Sequence, residues 1–315
     1  MRPELLSVRA VNQYRRRDML AYLGLRYYLE NNAAKRDVWA ENVSTYLVDT
    51  RSTPIYFNSY HFKEISEQGA VIHRDIYIPG PNEILAEAYL LNECSLHKSF
   101  RSLSCVYSYH FSDAKSKDGV FSSYFPKYIS RHQSIADVCK NMEEGIVRYT
   151  DIRKYYPSIS KEAAQTAWRR ACDSSEISTK ARELGERLLE DYTSVSELHG
   201  KSLSVLTGPM FSHLIANLVL FEVDKLMQEK TQGRYWRYVD DIVLVGNQSQ
   251  VIENHSLLKL ILGDAGLSLH EEGKDFVVDS KSWLDGINDF NDSEGGLWMN
   301  LISNIKRFLL LNPEM

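Results

Sequence analysis

The sequence predicts an α+β fold built on an antiparallel sheet, and three stretches predict it. Arg234 to Val245, RYWRYVDDIVLV, reads as two short strands, Tyr235 to Val239 and Ile242 to Val245, with two residues between them, the spacing of a β-hairpin. Gly145 to Ile159, GIVRYTDIRKYYPSI, reads as a strand through Ile146 and Tyr149 into Asp151, with Pro157 ending it ahead of a helix that Ser160 can cap. Ser202 to Met227 places Gly208-Pro209 before an apolar stripe through Leu214, Leu218 and Phe221, the pattern of a buried helix with proline at its start.

The remaining elements follow in chain order. Residues 4 to 35 read as helical, with Leu5, Leu6, Leu20, Leu23, Tyr27 and Tyr28 interleaved with Arg15, Arg16, Arg17 and Arg26; the arginine triplet is either a solvated face or a phosphate-contacting arm. The aromatic run IYFNSYHF, residues 55 to 62, is extended. Ile76 and Ile78 alternate with polar neighbours as in a strand, Pro79-Gly80-Pro81 stops it, and Glu83 to Leu91 follows as a helix. Val106 to Phe111 reads as a further strand and Ser112 to Gly119 as a polar loop. Phe121 to Ile129, with Lys127 and Arg131 close by, can stack bases and touch phosphates, or be core with flanking charges. No repeat and no low-complexity tract is present.

Composition bounds the class. A chain of 315 residues with 43% hydrophobic and 25% charged residues has the make-up of a globular protein of one large domain or a few subdomains. No apolar run reaches bilayer length and MRPELLSVRA lacks a signal-peptide h-region, so a cytoplasmic location is expected, with no membrane partner. Cys94, Cys105, Cys139 and Cys172 have no Cys-x-x-Cys or zinc-finger spacing and read as reduced thiols. The net charge of −5 argues against nucleic-acid binding only as a sum. Residues 97 to 170 hold 13 Lys and Arg against 7 Asp and Glu, while residues 171 to 315 hold 13 against 23, so a basic groove can face an acidic centre.

Asp240-Asp241 is the chemical focus. Two adjacent carboxylates at a hairpin tip repel each other where Asn-Gly or Asp-Gly would be ordinary; a divalent cation, Mg²⁺ or Mn²⁺, would relieve the repulsion. The plain alternative is a solvated surface turn. Asp151, just ahead of a strand-to-helix turn, is the third carboxylate such a site needs, or else a structural hydrogen-bond acceptor.

Taken in order, these pieces resemble the palm motifs of reverse transcriptases. Asp151-Ile152 with Tyr155-Tyr156 and Ser158-Ile159 is similar to the first motif. Thr207-Gly208-Pro209 with Ser212 and Asn217 is similar to the second, and Tyr238-Val239-Asp240-Asp241 to the Tyr-x-Asp-Asp third. Gly266-Leu267-Ser268-Leu269 with Lys274 resembles the fourth, and Arg74, Ile76, Ile78 and Pro79 resemble a fingers motif. The likeness spans about residue 74 to about residue 286. Leu206-Thr207 departs from the family's Pro-Gln, and Trp283-Leu284-Asp285-Gly286 is a poor primer grip. Bacterial defence-associated and abortive-infection members look most similar.

The resemblance implies a right-hand polymerase fold whose palm is an antiparallel sheet with helices on one face. It divides the chain into a helical extension (1–53), fingers (54–144), a palm (145–286) and a short thumb or C-terminal helix (287–315), with an apolar helix at Leu297 to Leu311. It implies Mg²⁺ or Mn²⁺ held by Asp151, Asp240, Asp241 and the Ile152 carbonyl, and addition of deoxynucleotides to a primer 3′ hydroxyl. Tyr156 would be the steric gate against a ribose 2′ hydroxyl, and Gly208 and Ser212 would flank the nascent base pair. Arg74 would hold triphosphate oxygens and Lys274 would donate a proton to pyrophosphate. The implied partners are dNTPs, an RNA template such as a dedicated noncoding RNA, the DNA product and a homo- or hetero-oligomeric defence subunit. Template-independent or protein-primed synthesis on the same palm, and an RNA-binding maturase-like role, are the alternatives.

Overall fold

Two antiparallel sheets and ten helices carry the described chain, residues 3–15, 18–31, 53–65, 69–113, 115–142, 144–271 and 275–285 of a computed structural model. The chain opens with α1 (Pro3–Arg15) and α2 (Met19–Asn31), so the expected long N-terminal helix is two, re-started at Asp18, whose carboxylate accepts from Ala21 N–H. Arg16 and Arg17 lie outside the described residues, as do the expected thumb and its 297–311 helix.

The first sheet is a long hairpin of β1 (Tyr56–Ile65) and β2 (Val71–Pro79). Pro79-Gly80-Pro81 ends β2 and starts α3 (Pro81–Ser95), longer than expected because its apolar residues are buried nearly all round. The stretch Val106 to Phe111, expected as a strand, makes only isolated bridges, Val106 to Arg237 and Phe111 to Phe121. Tyr109, at φ +53°, turns the backbone out of any extended run.

The second sheet has the order β4-β5-β3-β6, with β3 (Ile146–Asp151), β4 (Tyr235–Tyr238), β5 (Asp241–Gly246) and β6 (Phe276–Asp279) all paired antiparallel. Between β3 and β4 run the short α5 (Tyr155–Ser158), then α6 (Lys161–Asp173), α7 (Thr179–Leu198), α8 (Met210–Val219) and α9 (Phe221–Lys230); α10 (Gln248–Asp264) follows β5. Ser160 caps α6 as expected, accepting from Ala163 N–H.

Helices cover both faces of this sheet, not one. Tyr235, Ile242 and Leu244 face the main core beneath α6 to α10, whereas Trp236, Val243, Val245 and Val147 pack with Ile135, Ala136 and Cys139 of α4 (Tyr124–Lys140) and with Trp283. The unbroken apolar run Ile242 to Val245 dictates this, because a strand with one wet face alternates. All four cysteines are buried and unpaired. No helix among the described residues is long and apolar enough to cross a membrane.

Candidate metal centre

Three carboxylates meet where β3 ends and the β4–β5 ribbon turns. Asp151 is the last residue of β3 and sits directly opposite Asp241, the first residue of β5. Ile152 N–H donates to the Asp240 carbonyl at 3.0 Å, fastening the turn to the end of β3. One oxygen from each of Asp151, Asp240 and Asp241 lies within 4.8 Å of the others, with Asp151 buried, Asp240 half-buried and Asp241 exposed.

The hairpin tip is one residue earlier than expected. Tyr238 pairs with Asp241, so Val239 and Asp240 form the turn, with Val239 at φ +58°. A positive φ at the first central residue suits glycine, and a β-branched side chain there costs about 1–2 kcal/mol. With the shifted tip, Asp241 enters the sheet beside Asp151 in place of pointing away from it.

The electrostatics fit a cation. Although Asp241 is open to solvent at the residue level, crowding around its carboxyl removes hydration, and the Asp240 and Asp151 charges add to this; its pKa is pushed up to about 6. Arg131, buried on α4, opposes the shift and donates to the Asp241 carbonyl at 3.3 Å. Hard oxygen donors with excess negative charge and no soft ligand suit Mg²⁺ or Mn²⁺.

Sequence reasoning missed four supporting side chains. His270 Nε2 lies 3.4 Å from Asp151 Oδ1, and the His270 backbone N–H donates to the Asp151 carbonyl; His270 directly follows the Gly-Leu-Ser-Leu stretch, whose Leu269 bridges Ile152. Arg237 is fully buried and bound through two guanidinium nitrogens to Asp224, at 2.7 and 2.6 Å. Burial works against its charge and the Asp224 carboxylate more than offsets that. Glu87 on α3, also fully buried, accepts from Phe211 N–H at the start of α8, where Pro209 has no side chain able to cap. His213 Nδ1 is 2.6 Å from the Tyr156 hydroxyl and its ring stacks on Tyr109 at 4.0 Å.

The other expected residues are distributed as follows. Tyr156 is buried on α5. Gly208, at φ +125°, brings the chain so close to β2 that an added Cβ would lie 2.4 Å from the Tyr77 carbonyl, so its contact is with the hairpin backbone. Ser212 is fully buried beside Tyr192. Arg74 stands exposed on β2 opposite His61, in the other sheet. Lys274 and Gly286 lie outside the described residues. No protein-family model and no curated protein matches the sequence.

Proposed function

We propose that the chain is a reverse-transcriptase-type polymerase, an RNA-directed DNA polymerase with a right-hand fold in which the β1–β2 hairpin belongs to the fingers and the four-stranded sheet is the palm. The observation that carries this reading is the convergence of Asp151 with Asp240 and Asp241, residues far apart in sequence, at one end of an antiparallel sheet. A solvated surface turn would not need a buried third carboxylate opposite it. The sequence motifs add order and spacing to that geometry.

On this reading Asp151, Asp240 and Asp241, with the Ile152 carbonyl, would hold Mg²⁺ or Mn²⁺. Bound there, the cations supply activation of a primer 3′ hydroxyl and charge neutralisation on the leaving pyrophosphate. The chain's own part is placement: the β3–β5 pairing fixes two carboxylates and the Ile152 bond fixes the turn bearing the third. Tyr156 serves as the sugar gate, Arg74 is assigned to the triphosphate oxygens and Lys274 to proton donation to pyrophosphate. A role in antiphage defence, with a dedicated RNA template and a partner subunit, is the biological setting that the motif likeness suggests.

The test is incorporation of labelled dNTPs by the purified chain with its bound nucleic acid, with and without added RNA, followed by product sequencing. Asp240→Asn removes a ligand charge and little volume, so it should abolish synthesis by orders of magnitude while the protein stays folded. Full activity of this variant in Mg²⁺ would refute the assignment. RNA-independent products would point to template-independent synthesis.

A further inference from the structure

The first half of α4 turns large apolar side chains outward. Tyr124, Phe125, Tyr128 and Ile129 are 63%, 46%, 40% and 39% exposed, and the stripe they begin continues into Arg131, Ile135, Ala136 and Cys139, which are buried where the second half of the helix packs in the fold. Such a cluster on a monomer surface calls for an occupant. Between residues 119 and 136 the charged side chains are the half-buried Lys127 and the buried Arg131, with Asp118 and Asp137 just outside that span. The patch also runs into the metal centre. The Tyr128 ring meets Tyr238 edge-on at 6.0 Å, and Tyr238 pairs with Asp241 across the ribbon. Beyond Tyr128, His132 lies 4.3 Å away and stacks in turn on Trp283 at 6.2 Å.

We propose that this face of α4 binds single-stranded nucleic acid, with bases stacked on Tyr124, Phe125 and Tyr128 and the backbone beside Lys127, and leads the strand end to Asp151, Asp240 and Asp241. The inference rests on the polymerase reading and names the surface that serves it. Exposed π faces accept any base, a cation between them favours a polyanion, and an acidic partner protein would need no rings. Continuity with the ribbon supplies the direction: a strand lying on Tyr128 has the carboxylates one residue pair away.

The test is fluorescence anisotropy of labelled oligo-deoxythymidylate and oligo-adenylate with the full chain at two salt concentrations. Wild type should bind both. Tyr124→Ala with Tyr128→Ala should weaken binding about tenfold or more, Tyr128→Phe should retain it because the π face remains, and Lys127→Ala should make the salt dependence shallower by about one unit. Tyr124 and Tyr128 are exposed and Lys127 is half-buried, and a thermal melt checks that each variant is folded. Equal affinity of the double alanine variant and wild type would overturn the proposal, as would absence of oligonucleotide binding, or variants that change only self-association or capture of a protein. If binding depends on the rings while no nucleotide is ever incorporated, the surface stands and the polymerase reading falls. Incorporation with ring-independent binding gives the reverse.

Discussion

The buried guanidinium of Arg237 donates to the carbonyl of Val239, two residues along the chain, at 2.8 Å. The N–H of the same valine donates to Ser108 Oγ at 3.0 Å, so both polar groups of the strained turn residue are held by side chains. Asn217 links the two anchors, accepting from Arg237 and donating to the Ser108 carbonyl. The conformation that turns Asp240 and Asp241 toward Asp151 is therefore imposed by the core. Ser108→Ala leaves the half-buried Val239 N–H without that acceptor, at a cost of about 1 kcal/mol. It should reduce incorporation more than it reduces stability, since a small displacement of the turn separates the carboxylates. Arg237→Met strands the Asp224 charge and should cost about 3–5 kcal/mol, read by urea denaturation. A Ser108→Ala variant with wild-type incorporation and wild-type metal affinity would remove the anchoring role.

Repulsion within the triad gives a second expectation. Without metal, Asp240→Asn removes the larger of the two carboxylate charges that raise the Asp241 pKa, so this variant should melt above wild type at neutral pH. Adding Mg²⁺ or Mn²⁺ should raise the wild-type melting temperature and reverse the order, because the variant has lost a ligand. Scanning calorimetry with a chelator and with metal tests both halves. A wild-type melt indifferent to the cation would sink the metal assignment.

Tyr156 and His213 supply a third. The 2.6 Å contact between the phenol and the imidazole, with Tyr109 stacked on the far side at an interplanar angle of 5°, fixes the ring assigned as sugar gate. Tyr156→Ala should admit ribonucleotides. His213→Phe, which keeps a ring and loses the hydrogen bond, should lower the preference for dNTPs by a smaller factor. Competition between dATP and ATP in a single-nucleotide incorporation assay measures the ratio, and an unchanged ratio in Tyr156→Ala would dispose of the gate.

What could be read from residues alone was local. Asp151 and Asp241 stand at the ends of short strands whose β-branched and aromatic content marks them and Asp240 in the turn between two of them, so the sequence locates all three, and the Ser160 cap announces α6. The tip register is shifted by one because valine at positive φ runs against intrinsic preference and is held there by Arg237 and Ser108. Val106 to Phe111 has strand composition, yet Tyr109 turns away from the sheet. Arg237 carried a usable signal: it shares a strand face with Tyr235, and a charge on a core-facing position demands an acid elsewhere. Which acid answers, Asp224, is a long-range fact. Glu87 was similarly marked by lying in the apolar run Ile84 to Leu91.

Glu87 provides the last prediction, a pH dependence of stability. Its Oε1 accepts from the hydroxyls of Tyr192 and Tyr56, at 2.9 and 3.2 Å, and its Oε2 from Phe211 N–H at 3.2 Å, so one carboxyl ties α3, α7 and the β1–β2 hairpin to the start of α8. Burial is the largest influence and raises its pKa from 4.5 to about 7, against the lowering effect of these donors. The folded protein thus binds this proton more tightly than the unfolded chain. The stability it confers is fully present below about pH 4.5 and declines as pH rises toward 7, a change on the order of 3 kcal/mol. Glu87→Gln keeps an acceptor for Phe211 N–H and cannot ionise, while the tyrosine hydroxyls can turn to accept from its amide. Its stability relative to wild type should therefore increase from pH 5 to pH 8, measured by urea denaturation at each pH. Parallel profiles for the two proteins would show that Glu87 is already ionised when folded and that its donors, not burial, set its charge.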